Sequence, residues 1–61
     1  NQVAEIYEIK GKDNYHNRKK AMSQLDKDVE YIHQDYSDNV QLIKKFYAYS
    51  EGNKIVVERV N

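Results

Sequence analysis

The residues Met22, Leu25, Val29, Ile32 and Tyr36 are separated by 3, 4, 3 and 4 positions. That spacing draws one apolar seam along one face of a helix, because residues three and four apart lie above one another on a 3.6-residue turn. It predicts a helix over about 14–36, roughly 35 Å long at 1.5 Å per residue. Asp13 or Asn14 can cap its start, since either side chain accepts a hydrogen bond from the free amides of a first turn. Gly11 interrupts whatever precedes it, and Ser37-Asp38-Asn39 supplies a polar stop.

On either side of the helix the pattern changes. Residues 46–60, FYAYSEGNKIVVERV, are aromatic and β-branched around Ser-Glu-Gly-Asn. This predicts a hairpin with strands near 41–49 and 54–60, closed at Gly52 by a short loop with a bulge. A helix over 40–49 is the competing reading, because Val40, Ile43, Phe46 and Tyr47 also fit helical spacing and Asp38 with Gln41 would form a capping box. Residues 2–10, QVAEIYEIK, read as a strand with Val3, Tyr7 and Ile9 on one face and Ala4 and Ile6 on the other. The expected fold is α+β, in the order β-α-β-β: a three-stranded, antiparallel-type sheet with one long helix across one face.

The strands carry apolar residues on both faces. Leu42, Phe46 and Ala48 oppose Ile43, Tyr47 and Tyr49, and Ile55 and Val57 oppose Val56 and Val60. One helix covers one face of a sheet, so the other needs a cover. A helix of this length also overhangs strands of seven or eight residues, which span about 25 Å. With 61 residues and no cysteine, the chain is one small domain with no disulfide to support it. These features together predict a homodimer or a complex with another protein. The candidate partner-binding residues are Tyr47, Tyr49, Val56 and Val60.

Charge is balanced overall, ten acidic against ten basic residues, but it is unevenly placed. Between positions 10 and 20 stand Lys10, Lys12, Arg18, Lys19 and Lys20 against Asp13 alone. Between 26 and 38 stand Asp26, Asp28, Glu30, Asp35 and Asp38 against Lys27 alone. The cations lie at the helix N-terminus and the anions toward its C-terminus, the reverse of what the helix dipole favours. An antiparallel copy of the helix would offset both. The same five cations form a candidate basic patch for nucleic-acid phosphates, the alternative function.

No motif names an activity. Asp26 and Asp28 begin a D-x-D pattern, but Tyr31 and Ser37 stand where a calcium loop needs Gly and Glu. His16 and His33 fall on different faces of one helix and cannot share a metal. Ser23 and Ser37 have no nucleophile context. No catalytic residue, cofactor or metal is expected, and no apolar run is long enough for a membrane span. Lys, Asn, Ile and Tyr make up 8, 6, 5 and 6 of the residues, a bias toward AT-rich codons. The start at Asn1 leaves open a trimmed fragment of a larger enzyme or assembly, and a removed leader. Location stays undetermined, the cytoplasm being preferred. The expectation is a non-enzymatic, self-associating protein-interaction module.

Overall fold

The computed structural model describes residues 2–36 and 40–61. It contains β1 (Gln2–Lys10), α1 (Tyr15–Tyr36), β2 (Val40–Glu51) and β3 (Lys54–Arg59). The order is β-α-β-β, an α+β fold, with the helix packed on one face of a three-stranded sheet ordered β1-β2-β3. Residues 40–49 are strand, so the helical alternative for them falls. The end of the seam at Tyr36, the polar stop at 37–39 and the Asp38–Gln41 box lie outside the described side chains.

One correction concerns strand direction. The sheet is mixed: β2 and β3 are antiparallel, but β1 pairs with β2 in parallel, from Val3 opposite Leu42 to Lys10 opposite Tyr49. The cause is the helix. Its 22 residues carry the chain back about 33 Å, roughly the length of the nine-residue β1. The next strand therefore starts where β1 started and runs the same way. A second correction concerns length. β2 has 12 residues and spans about 40 Å, so the helix does not overhang its sheet.

The helix begins at Asn14, whose Oδ1 accepts the Asn17 amide at 2.7 Å. Asn17 Nδ2 in turn donates to the Lys12 carbonyl at 3.0 Å and fastens the approach loop. The hairpin turn is tighter than expected. Glu51 and Lys54 are paired, Gly52 has φ of 61°, and no shift interrupts the β2–β3 register. Two residues close the turn without a bulge. Gly52 takes the first central position, where a type II′ turn demands positive φ.

The core lies between α1 and the sheet. Ala21 and Leu25 of the helix and Tyr47 and Tyr49 of β2 are buried, with Met22, Val56 and Val60 packed against the cluster. Val29 and Ile32 continue the seam but are half-buried. The helix lies across β1 and β2 and leaves β3 to be reached by side chains. Asn61 continues the β3 edge: its Nδ2 donates to the Ile43 carbonyl at 2.8 Å and its Oδ1 accepts the Lys45 amide at 3.0 Å.

Candidate functional site

Two places in the molecule collect chemistry: a polar cluster at the start of α1, and the face of the sheet opposite the helix.

The polar cluster is built around Arg18. Its Nε and Nη2 donate to the two oxygens of Asp13 at 3.2 and 3.1 Å. Its Nη1 lies 3.0 Å from Glu58 Oε2, and its guanidinium sits 4.7 Å above the Tyr47 ring. Tyr47 donates its hydroxyl to Asp13 at 3.0 Å, and Tyr49 donates to Glu58 at 3.2 Å. The two tyrosine rings are 5.3 Å apart. One cation therefore binds two carboxylates, and each carboxylate also holds a phenol.

The electrostatics follow from these contacts. The Arg18 hydrogen bond holds the Asp13 carboxyl below its ordinary range, aided by the Tyr47 hydroxyl and opposed by burial. Asp13 raises the affinity of Arg18 for its proton, and Glu58 adds to this. Burial pushes both phenols up, and the neighbouring carboxylates push the same way. The result is a charged arginine and two protonated phenols, with no activated base or nucleophile among them. The cluster ties the start of the helix to β2 and β3. Asp13 also brings a negative charge to the positive end of the helix, which offsets the adverse cations there.

This geometry divides the candidate basic patch. Arg18 is engaged in the cluster. Lys10 points to the helix side of β1 and lies 3.7 Å from Glu8. Lys19 lies 5.9 Å from the ring of Tyr15. Lys12, Lys19 and Lys20 remain exposed. The candidate partner-binding residues are also relocated. Tyr47 and Tyr49 are 0% and 6% exposed, in the core under the helix, and Val56 and Val60 pack against them. The two faces were correctly separated by the alternation of the strands, but the helix covers the one carrying these four residues.

The opposite face is open. The register arranges it in levels along the strands: Val3–Leu42, then Glu5–Lys44, then Tyr7–Phe46–Arg59, then Ile9–Ala48–Val57, then Ser50–Ile55. Tyr7 and Phe46 stack at 4.7 Å with their rings nearly parallel. Ala48, buried between larger neighbours, floors the surface. Ile9 is 71% exposed, Ile55 69%, Val3 56% and Val57 52%, so this face carries the large exposed hydrophobics of the described strands, divided by the charged Glu5–Lys44 level. Glu5 is the one acid on this face among the described strand residues.

Among the described residues, no group of three or more His, Asp or Glu side chains could hold a metal. None of the described helices is long and apolar enough to cross a membrane. Compared with known protein families, curated proteins and solved structures, the chain matches none of them.

Proposed function

We propose that the chain is a small non-enzymatic protein-association module that docks through the open face of its sheet. One observation carries this: an open face on which Tyr7, Phe46, Ile9, Ala48, Val57 and Ile55 adjoin, with Val3 and Leu42 beyond the Glu5–Lys44 level, stands opposite the helix with no described part of the chain over it. Scattered surface hydrophobics are ordinary, but an adjoining group of them marks an interaction site. The accessible surface of 4602 Å² agrees, against about 4,200 Å² for a compact monomer of this mass. The Arg18 cluster serves this function indirectly, by fixing the helix on the other face and so leaving this one free.

A second reading has its own support. The stack of exposed Tyr7 on half-buried Phe46 lies between Lys44 and Arg59, and stacked rings flanked by cations suit the bases and phosphates of a single strand. The aliphatic residues, half of the described face, favour protein.

Sedimentation velocity over about 10–500 µM tests the first reading, with labelled single-stranded DNA and RNA titrated at about 50 and 200 mM salt for the second. Val57→Lys should abolish association while the far-ultraviolet spectrum stays unchanged. Association indifferent to Val57→Lys would refute docking through this face. Salt-steep nucleic-acid binding lost in Phe46→Ala would promote the second reading.

A further inference from the structure

We infer that the occupant of the open face is a second copy of the chain, related by a two-fold axis that runs along β2 between the two sheets. This rests on the docking reading above and goes further, to the partner and its register.

The argument is one of levels and edges. A two-fold axis parallel to the strands keeps each level of the face over the same level of its copy. The apolar levels then stay on apolar levels: Phe46 meets Phe46, Ala48 meets Ala48, and Ile9 lies over Val57 of the second copy. The same rotation exchanges the edges, so β1 lies over β3 of the copy. Glu5 stands on the β1 edge, and Arg59 stands on the β3 edge one level along. One level is about 6.8 Å, within the reach of these side chains across a rim. A single rotation thus covers the two central apolar levels and the length of β2, leaves Val3 and Ile55 at the ends of the contact, and brings the acid of each chain toward the arginine of the other.

The alternative axis, perpendicular to the strands at the Tyr7–Phe46 level, does neither. It sets Glu5 on Ile9 of the copy and Lys44 on Ala48, burying charge against hydrocarbon. Lys44 is the adverse element of the preferred arrangement. It lies near the axis and faces its own copy, eased by Glu5 beside it in the register.

The size of the face sets the strength. The face holds twelve register positions, each about 4.8 by 6.8 Å, and projects roughly 400 Å² per copy. About 800 Å² in total falls below the roughly 1,000 Å² of a stable specific interface. The dimer is therefore expected to be weak and to exchange subunits readily.

Charge complementation between variants tests the register. Glu5→Arg and Arg59→Glu should each weaken self-association by about tenfold or more, because each places like charges at both rims. An equimolar mixture of the two should associate again. In the mixed dimer the introduced arginine of one variant meets the introduced glutamate of the other at one rim. At the other rim the native Glu5 of the second variant meets the native Arg59 of the first. Lys44→Gln should tighten the dimer. Sedimentation velocity reads all four results, and circular dichroism confirms folding. Ile55→Lys, at the most exposed end of the hairpin, replaces Val57→Lys if that variant does not fold. A wild type that stays monomeric throughout the range overturns the second copy. Loss of association in Val57→Lys without complementation in the mixture overturns the axis and leaves the docking face standing. A dimer abolished by Lys19→Glu with Lys20→Glu, but indifferent to Val57→Lys and Ile55→Lys, overturns the face itself in favour of paired helices.

Discussion

At position 52 the chain needs a residue without a β-carbon. Gly52 has φ of 61° in a two-residue turn, and nothing lies within 4 Å of where a β-carbon would stand. The demand is conformational, not steric against a neighbour. Gly52→Val should therefore cost more than about 1 kcal/mol, seen as a lower melting temperature. D-alanine at the same position, introduced by synthesis, should melt at or above the wild type, since its mirror-image preference suits this φ. The Arg18 cluster makes a second prediction at this scale. Asp13 is held below its ordinary range, so its contribution to stability is complete above pH about 4 and is lost as pH falls through the depressed value. Acid melts should lose stability less steeply in Asp13→Asn. Tyr47 is pushed up, so its contribution is complete below pH about 10 and is lost as pH rises through the raised value. Tyr47→Phe should flatten that alkaline loss. Gly52 was legible because a lone glycine between β-branched runs has few other uses. The Arg18 clasp was not, because Glu58 and Tyr47 lie far along the chain from Asp13 and Arg18, and only the fold joins them.

Elements follow their seams. Leu25 belongs to the helical stripe and is fully buried, on a helix that packs on β1 and β2. Leu25→Ala should cost about 2–5 kcal/mol, measured by chemical or thermal unfolding, while Lys27→Ala on the exposed side should be nearly silent. The helix was legible from its 3.6 period over 22–32, and the hairpin and the first strand from their aromatic and β-branched content bounded by Gly52 and Gly11. The alternation even sorted the strand residues onto their correct faces. Which face the helix would take was not legible, because both are apolar and period alone gives no sign. The deciding property is polar reach. Tyr47 and Tyr49 extend through the core to Asp13 and Glu58, so their hydroxyls are satisfied under the helix. On the open face Phe46, Leu42 and Val57 offer no such tip, and the phenol of Tyr7 stays at the exposed β1 edge. Parallel pairing of β1 was recoverable in principle: a helix as long as the strand before it returns the chain to that strand's start.

The whole molecule is thin for its length. Its extents are 40 × 19 × 14 Å and its radius of gyration is 12.7 Å, where about 10.5 Å is typical of 61 compact residues. Leu25 and Tyr47 are its two largest fully buried side chains. A core this small leaves little surplus over conformational entropy. Any partner that binds the folded chain alone then adds visibly to its stability. If that partner is a second copy, the midpoint of melting must depend on protein concentration. Between about 5 and 500 µM, a hundredfold change shifts the folding equilibrium of a dimer by up to about 1.4 kcal/mol per chain, the full value being reached where both concentrations exceed the dissociation constant. For a domain of this size that corresponds to about 5–10 °C in melting temperature. Val57→Lys puts a charge on the β3 side of the open face, beside Ala48, without touching Leu25 or the Arg18 cluster. Its melting temperature should be independent of concentration and should equal the wild-type value extrapolated to high dilution. Differential scanning calorimetry at the two concentrations checks both parts. A wild-type midpoint that does not move would mean that the thin core is sufficient alone, and that the open face contributes nothing to the fold's own stability.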